Sequence, residues 1–192
     1  MTKEELLRIT PVIEKHDLLV ISDEIYAELT YGEKHCSVAT LPRMKERTVL
    51  LGGFSKAFAM TGWRIGYVCA PSELDSAILK IHQYTMLCAP RMSQHAAVAA
   101  LSGGLEDGFA SVEHMRREYD MRRRFLVRSF NDLGLRCFEP RGAFYAFPSV
   151  EGTGLTGDEF ARRLLEEEHV AVVPGDAFGA CGKYHIRCSY AT

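Results

Sequence analysis

The stretch GGFSKAFAMTGWRIGY, from Gly52 to Tyr67, sets Lys56 between the hydroxyl of Ser55 and a run of small residues, with Arg64 eight positions on. Two readings suit those residue types. One is a loop that closes a sheet and carries charges by chance. The other is an amine that reacts, with a guanidinium beside it that holds an anion. A second group, Asp23, Glu24 and Tyr26, follows directly on the apolar run LLVIS. Taken singly, each residue has an ordinary role: a turn cap, a half-buried ring, a surface lysine, a strand arginine in an ion pair.

The elements around these residues bring two of them together. LLVIS (18–22) is short, apolar and rich in branched residues, the pattern of a buried parallel strand, and TVLLGG (48–53) repeats it. The 25 residues between them, 23–47, can hold a crossover. If the two strands are parallel neighbours, Asp23 and Lys56 leave the sheet on one edge, and ligands of open parallel sheets bind beyond the carboxyl ends of the strands. WRIGYVCA (63–70) reads as a third strand. It follows too closely for a helical crossover and is expected to be antiparallel or set apart.

Elsewhere, Thr2 with Glu5 forms a capping box ahead of a helix that Pro11 should disturb. SELDSAILKIHQYTML reads as a helix, as does MSQHAAVAAL up to Gly103-Gly104. An amphipathic segment spans Glu106 to Leu133 and is stopped by Gly134. Leu135–Phe138, Ala143–Phe147, VAVVPG and YHIRCSY read as strands, Asp158–His169 as a helix, and EGTGLTGDEF as a flexible turn leading into it. Strand and helix alternate in the front half and mix in the back half. The implied class is α/β with a smaller α+β C-terminal part, divided at 108/109 (1–108 and 109–192) and joined by the long helix.

The chain has 192 residues, 47% hydrophobic and 25% charged, with net charge −2. That composition is globular and gives no general pull toward nucleic acid. The arginines between 116 and 128 alternate with acids and are expected on a solvated helix face. No apolar run approaches the ~18 residues that cross a bilayer, and MTKEELLRIT is not a secretory signal. The six cysteines form no C-x-x-C pair and are expected to be reduced, mostly buried thiols of a cytoplasmic protein. The seven histidines lack metal-binding spacing, so no metal is expected.

The runs SDEIYAELTYG, GGFSKAFAMTGWRIGY, RGAFYAF and HIRCSYA, in this order, resemble fold type I pyridoxal-phosphate enzymes, and among them the class I/II aminotransferases of the aspartate and aromatic type. The resemblance implies pyridoxal 5'-phosphate as cofactor, an amino acid and a 2-oxo acid as substrates, and a homodimer. It implies that Lys56 forms a Schiff base with the cofactor aldehyde and then shuttles a proton. Asp23 would sit against the pyridine nitrogen, and Tyr26 against the ring hydroxyl oxygen. Ser55 and Arg64 would contact the phosphate, and Arg187 the substrate α-carboxylate.

Two departures from the family stand out. Position 53, often a serine that serves the phosphate, is Gly53. The chain is also short for the family: its first residues resemble the text that follows an N-P-T-G element, and it ends soon after Arg187, where relatives continue into a helix. The expected object is a partial large domain with unpaired sheet edges, plus a small domain, with transamination impaired. Two alternatives stay open: a β-eliminating C–S lyase of the same fold, and an inert fragment that only self-associates.

Overall fold

A computed structural model describes residues 1–191. It divides into two compact units, Met1–Glu113 and the residues from His114 onward.

The first unit opens with helix α1 (Lys3–Lys15). Thr2 and Glu5 form the expected reciprocal cap. Pro11 lies within the helix without ending it. A proline at position 11 cannot donate to the Leu7 carbonyl one turn back. The Thr10 hydroxyl donates to that carbonyl instead, at 3.1 Å, so the lost bond leaves no acceptor stranded.

The sheet of this unit has the order β1-β2-β3, with β1 at Val20–Asp23, β2 at Thr48–Gly53 and β3 at Gly66–Cys69. β1 and β2 are parallel, with Val20 opposite Thr48 and Asp23 opposite Leu51. β3 runs antiparallel to β2, as its short connection requires. The connection between β1 and β2 contains turns and two single-turn 3-10 helices, Val38–Thr40 and Lys45–Arg47, and no α-helix. A core of Leu6, Val38, Leu41 and Met44, with Ile13 and Val20 against it, ties α1 to this connection and to β1.

β1 is not the fully buried strand that its apolar text suggests. Val20 and Ser22 are half-buried, while Ile21 is 74% exposed. One face packs on the core, and the alternate side chains point the other way, where no described residue covers them. β3 is exposed along its whole length. The cysteines follow suit and correct the sequence reading. All six are free thiols, but only Cys137 is buried; Cys36 and Cys188 are half-buried, and Cys69, Cys88 and Cys181 are exposed.

Helix α2 (Ser72–Thr85) follows β3. Helix α3 (Arg91–Asp107) passes through Gly103-Gly104 rather than stopping there, and ends at Gly108 in the left-handed conformation, φ 67°. The ring of Phe109 folds back on Gly104 where a Cβ would stand, so the glycine serves packing within the helix and not termination. Helix α4 (Ala110–Asp132) comes next and carries the chain into the second unit.

The second unit sets helix α5 (Gly157–Glu168) beside a sheet of order β4-β6-β5, with β4 at Tyr145–Ala146, β5 at Val173–Pro174 and β6 at Ile186–Ser189. α5 has its own reciprocal cap, Thr156 with Glu159, at the place read only as a flexible turn. Val150, Ala161 and Ile186 form the core.

The strand expected at Leu135–Phe138 does not form. The Asn131 side chain takes the place of a partner strand. Its amide donates to the Cys137 carbonyl at 2.9 Å and its oxygen accepts from the Cys137 N–H at 3.1 Å. Arg123 also departs from the solvated face expected of it. It is 5% exposed and donates to Asp120, to Glu139 and to the Pro140 carbonyl.

Asn131→Ala should therefore leave two main-chain groups of a buried residue without partners, a cost of about 1–3 kcal/mol. Denaturant unfolding should show the loss as a lower midpoint with unchanged slope. Alkylation should become faster at Cys137, whose thiol burial holds above its ordinary pKa.

Candidate active site

The parallel register of β1 with β2 fixes where the first group of residues sits. Asp23 is the last residue of β1, opposite Leu51 of β2. Lys56 lies three residues beyond Gly53, the end of the same β2. Both therefore leave the sheet at its carboxyl edge.

Asp23 caps its own turn: its carboxylate accepts from the Ile25 N–H at 3.1 Å. The Glu24 N–H donates to the Leu51 carbonyl at 2.8 Å, which extends the ladder by one bond past the strand. Bonds from Ala27 to Glu24 and from Leu29 to Tyr26 then curl the chain, with Leu29 fully buried beneath it. Tyr26 comes off this curl, and the Lys56 Nζ stands 5.8 Å from the centre of its ring.

Glu24, to which the sequence assigns no role of its own, is the polar hub of this turn. Its side chain is 7% exposed. One carboxylate oxygen accepts from the Ser22 hydroxyl at 3.0 Å and the Ser37 hydroxyl at 2.7 Å; the other pairs with His35 Nε2 at 2.8 Å. A buried carboxylate is tolerated only with such partners. Here they bind the turn that carries Asp23 and Tyr26 to the connection between β1 and β2. No local signal in the sequence marks the hub, because the Ser37 and His35 that complete it lie 13 and 11 residues along the chain.

The Lys56 loop is organised around Phe54. Its ring is buried with Met60 and Ala97, and Phe58 and Ile65 pack on them. Main-chain bonds run from Phe58 and Met60 back to Phe54, and from Ala59 to Lys56. Ser55 is half-buried on the same loop. Arg64 closes it, in the left-handed region at φ 51°, with its guanidinium donating to the Thr61 carbonyl at 3.0 Å. It is one of eight described non-glycine residues with positive φ, and Ala59 on the same loop is another.

Gly53 also has a local reason. A Cβ there would stand 3.0 Å from the end of Ile25 and 3.2 Å from the Gly66 Cα. The Asp23–Tyr26 turn and β3 both close on this position. At Gly52 the Tyr67 ring occupies the space of a side chain.

Arg187 belongs to the second unit, on the central strand β6 opposite Val173 of β5. Its guanidinium carbon lies 4.4 Å from the centre of the Tyr145 ring and 4.6 Å from that of Phe178. No described carboxylate of this unit pairs with it, in contrast to Arg123 with its two acids. The next residue, Cys188, has its thiol pushed up to about 11 by burial and, secondarily, by Cys137. It therefore stays neutral near pH 7 and offers no anion to compete for the arginine.

The family model for class I and II aminotransferases matches residues 1–192. The chain belongs to this family. An aspartate aminotransferase of Pyrococcus abyssi is 46% identical over 193 residues, which is 100% of this chain and 49% of the relative. Among solved structures, an aromatic aminotransferase from Pyrococcus horikoshii superposes with a TM-score of 0.94 at 46% identity, covering 100% of this chain and 51% of that one. An aspartate aminotransferase from Thermus thermophilus with maleate gives 0.91 at 38% identity, covering 100% and 48%. The chain thus spans about half the length of the curated relatives it matches. It has the mixed α/β fold of these enzymes over about half of their length, as a partial large domain would. Class I aminotransferases of this kind use pyridoxal phosphate. No described helix is long and apolar enough to cross a membrane.

The buried Glu24 hub yields a stability prediction. Glu24→Ala leaves Ser22, Ser37 and His35 without their acceptor and should cost about 2–3 kcal/mol. Glu24→Gln, which can still accept from both hydroxyls, should lose less. Chemical denaturation of the three proteins checks the order; equal midpoints for Glu24→Ala and the parent would show that the hub does not hold the turn.

Proposed function

We propose that the chain carries the catalytic and carboxylate-binding residues of a pyridoxal-phosphate-dependent aminotransferase, which moves an amino group from an amino acid to a 2-oxo acid. The observation that carries this reading is the β1–β2 register, which brings a carboxylate and an amine to one sheet edge. That donor set fits the cofactor: an amine for its aldehyde, a carboxylate for its ring nitrogen, a phenol for its ring oxygen and a guanidinium for its phosphate. When bound, the cofactor supplies an electron sink for the charge that develops at the substrate Cα.

The side chains have distinct tasks in this reading. Lys56 holds the cofactor and then takes and returns the proton at the substrate Cα. Asp23, an acid fixed by its own turn, favours a protonated ring nitrogen. Tyr26 donates to the ring oxygen. Arg64 offers its remaining N–H groups to the phosphate, with the Ser55 hydroxyl as a further donor. Arg187 takes the α-carboxylate in a two-point contact.

Residues 1–108 are assigned to the cofactor-binding part and 109–192 to the small domain. We take the working enzyme to be a cytoplasmic homodimer, as expected for the family. Because the chain matches only about half of its relatives, we infer that alone it holds the cofactor weakly and transaminates slowly.

Reduction with borohydride in the presence of pyridoxal phosphate, followed by peptide mapping, tests the assignment. A stable adduct is expected at Lys56, and none at that peptide in Lys56→Ala. An unmodified Lys56 peptide at saturating cofactor, or label spread evenly over surface lysines, would remove the lysine from its role.

A further inference from the structure

The surroundings of Arg187 are unusual for an arginine on a central strand. β6 lies between β4 and β5, and each side contributes one ring. Tyr145 comes from β4, whose pairing partner on β6 is Ser189, two residues from Arg187. Phe178 ends the 3-10 turn Gly175–Phe178 that follows β5. Their ring centres lie 4.4 and 4.6 Å from the guanidinium carbon, within the range of strong cation–π contact.

Neither ring stands alone. Phe178 meets Phe147 edge-on at 6.0 Å, and Phe147 stacks on His185 at 5.0 Å with only 8° between planes. Tyr145 leans on Phe144 at 4.7 Å, and Phe144 meets Tyr119 at 5.7 Å. The arginine thus sits at the centre of a continuous run of ring contacts anchored in α4, β4 and the start of β6.

We propose that Tyr145 and Phe178 are positioning residues that grip the Arg187 guanidinium from the two sides of β6 and leave its donor edge for a planar carboxylate. This deepens the assignment of Arg187 to the substrate carboxylate and rests on it. A guanidinium is more weakly hydrated than an ammonium and stacks readily on aromatic rings, so ring contacts at these distances cost it little solvation. An arginine otherwise carries large rotamer freedom, which a carboxylate would have to freeze on binding. Ring contacts remove that freedom beforehand without using a single N–H donor, which an ion pair such as that of Arg123 would do.

The test uses the whole chain and maleate, a rigid dicarboxylate, followed through the Arg187 side-chain NH resonance. In the parent, ring currents should displace this resonance, its relaxation should report an ordered side chain, and maleate should shift it. Phe178→Leu and Tyr145→Leu should each lose the displacement, gain side-chain motion and bind maleate about tenfold more weakly. Phe178→Tyr and Tyr145→Phe, which keep a ring, should restore both. Main-chain amide spectra verify the fold of each variant, and if a leucine variant unfolds, the ring-keeping pair and Phe178→Met give the comparison.

The two claims fail separately. If the parent side chain is ordered and ring-shifted but ignores maleate, the carboxylate assignment fails and the grip stands. If the leucine variants leave Arg187 as ordered as before, or bind maleate as tightly as the parent, the grip is refuted whatever Arg187 binds.

Discussion

The hydrogen-bonded register between β1 and β2 is the constraint on which the first unit's chemistry depends. Parallel pairing sends both strands out of the sheet at the same edge, and the ladder extends one bond further, from the Glu24 N–H to the Leu51 carbonyl. A slip of one residue would do more than move Asp23 along the edge. It would turn Val20 out of the core and Ile21 into it, and it would break the contact between Ile25 and Gly53. The same register is therefore required by packing, by the turn and by the proposed site.

Charge is handled in three ways, and the differences separate scaffold from site. Glu24 and Arg123 are buried and surrounded by partners: two hydroxyls and an imidazole for the acid, two acids and a carbonyl for the base. Removing one member would leave an unpaired charge in a place of low polarity, so these groups fix structure. Burial raises the pKa of the Cys188 thiol and keeps it neutral near pH 7. Arg187 is held by ring faces and not by acids, which leaves its donors available. That placement is why we propose an anionic ligand for it.

Much of this was legible in the sequence because local signals and tertiary demands agree. TVLLGG becomes β2 residue for residue, and the capping box at Thr2 forms as written. The periodicity of Glu106 to Leu133 gave most of α4, although Glu106 and Asp107 end α3 instead. The misses have a common origin, in that the deciding partner lies far along the chain or in a side chain. Leu135–Phe138 has strand-like text, yet Asn131 supplies the bonds that a neighbouring strand would have made. Gly103-Gly104 looks like a stop until the ring of Phe109 fills the space beside Gly104. β1 looks fully buried because apolarity reports the preference of residues for cover and not whether cover is present.

The candidate site shows the same division. Lys56, Arg64, Asp23 and Tyr26 stand out by type and order, so they could be singled out as candidates from the text. Glu24 and the two rings beside Arg187 could not, because a carboxylate next to an aspartate and aromatics in short strands are common and carry no signature. What distinguishes them is geometry: three donors converging on one buried acid, and two ring centres at nearly equal distance from one guanidinium carbon. Gly53 joins both lessons. Read as text, it is a missing hydroxyl. In the fold, it is the point where Ile25 of the Asp23–Tyr26 turn and the backbone of β3 converge on the strand leading to Lys56. A serine there would bring its Cβ to 3.0 Å from the end of the Ile25 side chain and 3.2 Å from the Gly66 Cα, so a hydroxyl at this position would need that side chain and the backbone of β3 to give by a few tenths of an ångström.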